Sequence, residues 1–263
     1  MTASSLHLHR FFCLVSISIA MDSTSELPCE NEACRSTLQT NNVPSPSSCS
    51  AVVLYVDHMH LPFEQRERQF VFCGHTFMIN QMWRESGVSA VVWNASIFLS
   101  EWMEKSDVDW HNKTVLELGA GTGLSGMVAS ALGAQVTVTD RAVALDLLQS
   151  NVDQNREFLH ETIQVVELDW EQNLHEFAAA SPAWDVIIGA DIVYIEETFD
   201  ALLATLRHLS RKTTDIYLAC KIRYDRDNKF LELMKNYFMW KKIAYSEGHD
   251  ITLVHARLKV NQV

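Results

Sequence analysis

An α/β fold, built on a mostly parallel sheet of seven strands with one antiparallel strand near the end, is predicted by three features of the 263-residue sequence. From Thr114 onward, short apolar runs alternate with amphipathic stretches. That pattern belongs to parallel strands joined by right-handed helical crossovers. Val136-Thr137-Val138 and Val186-Ile187-Ile188 are apolar almost without interruption, as expected of strands covered on both faces. Only residues 245–250 separate the last two strands. That segment is too short for a crossover, so the pair must close as an antiparallel hairpin.

Along the chain, residues 1–50 stand apart in composition. They hold four of the six cysteines (Cys13, Cys29, Cys34 and Cys49), three of the five prolines, and no Trp or Gly. From residue 22 to residue 50 Ser, Thr, Asn and Pro dominate, with little apolar area to offset the entropy of ordering, so disorder is expected. Residues 11–20 form an apolar run behind His7, His9 and Arg10. The run resembles a signal-peptide core and is too short to span a membrane. Met21 follows at once and can itself be a start, which leaves secretion as the minor reading. All seven Trp and all nine Gly come later, and the folded domain is placed at residues 53–260.

That domain opens with a predicted hairpin over residues 69–79, turning at Cys73-Gly74-His75. A helix over 92–105 follows. Strands are predicted at 114–118, 135–139, 163–167, 185–190, 215–220, 239–244 and 251–258. The helices between them are placed at 124–132, 142–158, 197–209 and 227–237. Two glycosylation sequons, at Asn94 and Asn112, fall in a helix and against a buried strand, so neither supports glycosylation.

Composition limits the functional classes. Lys+Arg is 21 and Asp+Glu is 33, a formal net charge of −12. An acidic chain is a poor general binder of nucleic acid. No Cys-x-x-Cys pair or Cys/His zinc spacing occurs, so no metal site is expected. Only Cys73 and Cys220 fall inside the domain, which suits a reducing, cytoplasmic setting.

The sharpest motif is Val115-Leu116-Glu117-Leu118-Gly119-Ala120-Gly121-Thr122-Gly123-Leu124. A buried strand ends at Leu118, a glycine loop follows, and a helix opens near Leu124. Such a loop lets backbone approach a ligand closely at a helix N-terminus. Gly121-Thr-Gly123-Leu-Ser-Gly126 also satisfies the dinucleotide fingerprint, but counted from Gly119 the third glycine falls on Leu124. Glu117 decides between the two cofactor classes. A carboxylate facing the cleft two residues before the first glycine would repel a pyrophosphate, yet suits the cationic amino-acid tail of S-adenosylmethionine. Asp140, at the end of the next strand, matches the acid that grips ribose hydroxyls in both classes. The competing reading makes Glu117 a cap of the loop and Asp140 a cap of the following helix. Trp170, after the third strand, is placed either against adenine or as a lid on the core, and Trp93 either closes the cofactor cleft or belongs to the core.

The fourth strand ends Gly189-Ala190-Asp191-Ile192-Val193-Tyr194. Reacting groups in an open α/β sheet gather beyond the strand C-termini at the switch point. Asp191 and Tyr194 would therefore border the transferred group, with small Ala190 allowing backbone contact. Asp191 would hold a lysine ammonium and Tyr194 would wall its chain; the alternative makes Asp191 a helix cap. The loop 221–227 lies on the same rim, either as a substrate contact or as a solvated turn. Cys220 is core rather than nucleophile.

Taken together, Ala90-Val91-Val92-Trp93, the Glu117–Leu124 motif, Thr137-Val138-Thr139-Asp140-Arg141 and Gly189-Ala190-Asp191-Ile192-Val193-Tyr194 resemble the methyltransferase-like group of seven-strand protein-lysine methyltransferases. Ala219-Cys-Lys-Ile-Arg-Tyr-Asp-Arg-Asp227 is most similar to the member that trimethylates a lysine of seventy-kilodalton heat-shock chaperones. The resemblance spans residues 54–259. It implies a Rossmann-like class I fold, with S-adenosylmethionine held by Trp93, Gly119, Ala120, Gly121, Asp140, Trp170 and Ala190. It implies lysine placement by Asp191 and Tyr194, and a chaperone as protein substrate of a monomeric cytosolic enzyme. Asn94 stands where the family usually has Asp, and the leader has no counterpart in the family. The alternatives are a small-molecule methyltransferase, a non-catalytic chaperone-binding module on the same fold and, last, a dehydrogenase.

Overall fold

The structure, a computed structural model, describes residues 62–259. The signal-like run, the Ser-rich segment and the first residues of the predicted domain lie outside the described residues. A two-stranded hairpin, β1 (Glu67–Phe72) and β2 (His75–Asn80), precedes the short α1 (Trp83–Ser86) and the longer α2 (Asn94–Lys105). Then come β3 (Thr114–Leu118), α3 (Leu124–Ala131), β4 (Gln135–Asp140), α4 (Ala142–Gln154) and β5 (Gln164–Glu167). The second half runs α5 (Leu174–Ala180), β6 (Val186–Ala190), α6 (Phe199–Leu209), β7 (Asp215–Lys221), α7 (Asp225–Met234), β8 (Phe238–Ser246) and β9 (Ile251–Leu258).

The seven-stranded sheet has the order β5-β4-β3-β6-β7-β9-β8, with β9 antiparallel to both of its neighbours. The predicted architecture is therefore present. The chain builds outward from β3 through β4 to β5, then restarts on the other side of β3 with β6. That reversal is the switch point where ligands bind in open α/β sheets.

Period-two alternation assigns the two faces of the sheet. Val115, Val136, Val138 and Ile188 point to one face with Leu99 of α2, Met127 of α3 and Leu148 of α4. Leu116, Leu118, Ile187 and Leu218 point to the other, against Leu174 of α5, Leu206 of α6 and Phe230 of α7. Both faces are sealed, which is why the strands contain so little polar sequence.

Differences from the predicted elements have local causes. The helix predicted to run to residue 158 stops at Gln154, and residues 156–158 form a 3-10 turn. Asn155 ends it, because its side-chain Nδ2 turns back to donate to the Asn151 carbonyl at 2.8 Å. The helix predicted from residue 227 begins at Asp225. The Asp227 carboxylate instead accepts the N–H groups of Arg223 and Tyr224, at 2.8 and 3.1 Å, from inside the first turn. Helix α5 was not predicted, although a parallel β5-to-β6 connection requires a crossover.

The β1–β2 hairpin closes through Cys73 and Gly74, both at positive φ (53° and 76°), as a two-residue hairpin turn requires. The second edge of β2 is satisfied by α4 side chains rather than by a third strand. The Met78 N–H donates to Asn155 Oδ1 at 2.8 Å, and Asn155 Nδ2 donates to the Met78 carbonyl at 2.9 Å. Asn151 treats Asn80 in the same way, at 2.9 and 3.2 Å, and also donates to the Thr122 carbonyl of the glycine loop at 3.1 Å. Both asparagines are fully buried. Truncation of Asn155 to Ala strands a backbone donor and a backbone acceptor. Each costs about 1–3 kcal/mol when left unpaired, so Asn155→Ala is expected to lower stability by roughly 2–6 kcal/mol in urea unfolding.

Candidate active site

The carboxyl ends of β3 and β6 lie side by side, with Leu118 opposite Gly189. The chain leaves β3 through Gly119, Gly121 and Gly123 at φ of 60°, 55° and 85°, a region that only glycine enters cheaply. Space is short as well as conformation. A Cβ at Gly119 would meet Ile192 Cγ2 at 2.8 Å and the Trp170 ring at 3.7 Å. One at Gly121 would meet the Ser89 carbonyl oxygen at 2.9 Å. The segment between α1 and α2 thus lies directly over the loop. It is pinned there by the Trp93 indole, which donates to the Val88 carbonyl at 2.8 Å.

Asp140 reaches the loop from the end of β4. One carboxylate oxygen accepts the Gly121 N–H at 2.8 Å and the other the Arg141 N–H at 2.8 Å. Burial pushes its proton affinity up, and the two backbone donors oppose that shift. A carboxylate has about four acceptor positions, so Asp140 retains capacity for hydroxyl donors.

Glu117 departs from the expectation that its carboxylate faces the cleft. It shares the Val115 face of β3, beneath α3, and Gly126 N–H donates to its Oε2 at 2.9 Å. It is only 2% exposed. The period-two alternation that buries Val115 dictates this direction. Burial pushes its pKa up to about 8, against the Gly126 and Ser125 donors, which lower it.

Beyond β6, Asp191 adopts φ 58° and its N–H donates to the Ala219 carbonyl at 2.8 Å, one step past the last β6–β7 pair. Its carboxylate is not free for an incoming cation. Arg223 donates through both terminal nitrogens, at 2.8 and 2.6 Å, in a two-pronged ion pair. Tyr194 lies within the fields of Asp140, Arg141, Asp191 and Arg223, and burial raises its hydroxyl above the usual tyrosine range. The Arg223 guanidinium stands 5.8 Å from the Trp93 ring centre. Sequence reasoning placed residues 221–227 on this rim but did not foresee that Arg223 turns inward. An arginine after a buried strand carries no directional signal.

The structure therefore brings together Trp93, Gly119, Ala120, Gly121, Asp140, Trp170, Ala190, Asp191 and Tyr194. Of these, all but Asp140 are partly exposed, and all but Asp140 and Ala190 lie in the segments that connect the strands and helices. Glu117 lies outside this set and holds the first turn of α3. Cys220 is buried and its thiol is pushed far up by desolvation, as a core cysteine should be. Asn94, at the start of α2, touches His249 of the β8–β9 turn at 3.2 Å. Among the described residues no helix is long and apolar enough to cross a membrane.

A seven-stranded sheet of this order, with glycine loop and acid at its switch point, is the Rossmann-like methyltransferase fold. An Aeropyrum pernix fibrillarin with natively bound S-adenosyl-L-methionine superposes with a TM-score of 0.50 at 13% identity, over 72% of this chain and 82% of that one. A T. thermophilus 16S rRNA methyltransferase in complex with AdoMet and guanosine gives 0.54 at 18% identity, over 74% and 50%. The particular family follows from sequence. The lysine methyltransferase family matches residues 72–237, and the chain belongs to it. Mouse protein N-lysine methyltransferase METTL21A is 46% identical over 194 residues, 73% of this chain and 88% of the relative. Mouse EEF1A lysine methyltransferase 3 is 38% identical, covering 72% and 81%. Bovine protein-lysine methyltransferase METTL21E is 37% identical, covering 73% and 67%.

The buried Glu117 gives a pH signature. Its folded pKa lies above the unfolded carboxylate value, so the folded state binds the extra proton. That contribution to stability is complete below about pH 4.5 and is lost as pH rises through about 8. Asp140 acts in the same direction. Thermal melts from pH 5 to 8.5 should show the wild type losing stability as pH rises, and Glu117→Gln should flatten part of that slope, leaving the Asp140 share.

Proposed function

We propose that the protein is an S-adenosylmethionine-dependent protein-lysine N-methyltransferase of the cytosol, acting on a lysine of seventy-kilodalton heat-shock chaperones. The observation that carries the reaction class is the convergence of the glycine loop, Asp140 and the Asp191–Tyr194 segment at one switch point, in a chain of the lysine methyltransferase family. The chaperone assignment is supported by the loop after β7, whose sequence resembles members acting on that substrate.

The residues fit such a cofactor. Gly119 and Gly121 present bare backbone at the end of β3, Asp140 is an acceptor-only group beside the loop, and the half-buried indole of Trp170 borders Gly119. When bound, the cofactor supplies a methyl group on a positively charged sulfur. Asp140 would accept from its ribose hydroxyls, and Trp170 with Ala190 would hold the adenine side. Tyr194 would wall the lysine chain, and Trp93 would close the cofactor cleft against water. A lysine nitrogen attacks only as the neutral amine, so the protein must align that nitrogen and accommodate loss of its proton before transfer. Alignment alone is worth orders of magnitude in rate.

A second substrate class has its own support in the 38% identity to a relative named for elongation factor EEF1A. Incubation with methyl-labelled S-adenosylmethionine and either purified protein separates the two. The expected outcome is label on one chaperone lysine, found by peptide mass spectrometry. Gly121→Arg, which drives a side chain into the Ser89 carbonyl at positive φ, should reduce labelling by about 100-fold or more, and Asp191→Ala by about tenfold or more. Undiminished labelling by both variants would remove the site assignment; label on EEF1A alone would replace the substrate.

A further inference from the structure

The segment carrying Asp191 and Tyr194 is gripped at both ends by arginines, Arg223 from the loop after β7 and Arg226 from the first turn of α7. Arg223 forks onto the Asp191 carboxylate at 2.8 and 2.6 Å. Arg226, three residues on, donates to the Tyr194 carbonyl at 3.0 Å. Both arginines are anchored by Asp227, which is fully buried. Its carboxylate accepts the Arg223 N–H at 2.8 Å and lies 3.4 Å from the Arg226 Nε. The Asp191 side chain is 6% exposed and that of Arg223 29%, so the ion pair sits at the mouth with its guanidinium on the outer side, near Trp93.

This arrangement has a consequence for the reaction. A bare carboxylate at Asp191 would stabilise an incoming lysine as ammonium, which has no lone pair for the methyl carbon. A carboxylate whose charge is already matched by guanidinium attracts a second cation far less. We propose that Arg223 is a positioning residue that occupies the cation site of Asp191, so that the substrate nitrogen enters beside a neutral ion pair and is favoured as the free amine. The inference rests on the reading that Asp191 and Tyr194 border the reacting lysine. The lysine ammonium gives one proton to solvent, its lone pair then forms the new N–C bond, and the electrons of the broken C–S bond stay on sulfur.

The other charged groups facing this point are Asp140 and Arg141 at the end of β4 and Tyr194 itself. Arg226 and Asp227 at the start of α7 complete the set on that side. On the α2 side the neighbour is the Trp93 ring. Arg223 keeps its proton firmly, because Asp191 outweighs the desolvation that would strip it.

The test is the pH dependence of methyl transfer to the purified chaperone, or to EEF1A if that is the substrate, between pH 6.5 and 10. Arg223→Gln exposes the Asp191 charge and should move the alkaline midpoint of kcat up by about one unit or more, with kcat reduced at pH 7 and KM unchanged or lower. The double variant Asp191→Asn/Arg223→Gln is again neutral at that point, and its midpoint should return toward wild type. A merely structural role would lower the rate without moving the midpoint. Should Arg223→Gln turn over too slowly to follow, calorimetric binding of the same substrate at pH 7 decides. Binding as tight as wild type or tighter supports the proposal, and weaker binding overturns it. Coincident pH midpoints in an active variant also overturn it. Failure of the wild type to methylate any lysine-bearing protein would instead count against the functional reading.

Discussion

Parallel pairing of β3 with β6, with Leu118 opposite Gly189, is the constraint from which the rest of the site follows. The two strands run parallel and end level with one another, and the order of the sheet reverses between them. Both loops must therefore leave from the same end of the sheet into the same gap. The two exits solve the crowding differently. After β3 the chain turns through glycines, since Ile192 and Ser89 press within 3 Å of where side chains would begin. After β6 a non-glycine, Asp191, takes the left-handed conformation. Non-glycine residues accept that strain only where their surroundings hold them. Here the holding comes from the Ala219 carbonyl and the Arg223 fork.

Much of this was legible in the sequence because it depends on period and spacing. The strands follow from apolar runs, the hairpin at the chain end from its short connection, and the cofactor loop from glycines directly after a buried strand. Asp140 could be placed because it terminates the neighbouring strand in register with that loop. What escaped depends on side-chain direction. Glu117 reads as a cleft residue if only its distance from Gly119 is considered, but alternation with Val115 turns it beneath α3. The same rule was available and would have given the right face. Asn151 and Asn155 look like ordinary polar positions of an amphipathic helix, and only tertiary contact reveals them as pairing partners for β2. The inward turn of Arg223 depends on Asp227 pulling its backbone, a cap that sets the start of α7 two residues earlier than its apolar pattern suggests.

Charge at the site is arranged by burial and pairing more than by count. The chain is acidic overall, yet the carboxylates nearest the loop are each engaged. Glu117 is favoured in its protonated form by desolvation, Asp140 accepts two backbone N–H groups, and Asp191 is matched by a guanidinium. A whole-chain charge of −12 therefore says little about the potential that a substrate side chain meets at the mouth. Ion pairs and backbone donors in a partly buried setting outweigh distant surface charges, which salt screens over about 10 Å.

The attachment of the hairpin by two asparagines also shapes how the enzyme can open. Side-chain amides bind β2 without making it part of the sheet, while Phe77 and Ile79 on its inner face are fully buried in the same core as Val115 and Leu99. Asn151 grips both Asn80 and the Thr122 carbonyl, and Ser89 roofs Gly121 just downstream of the hairpin. Loosening this one unit would therefore disturb the glycine loop and the core on that face of the sheet together. In hydrogen exchange the hairpin and the glycine loop are accordingly expected to be protected as one cooperative unit.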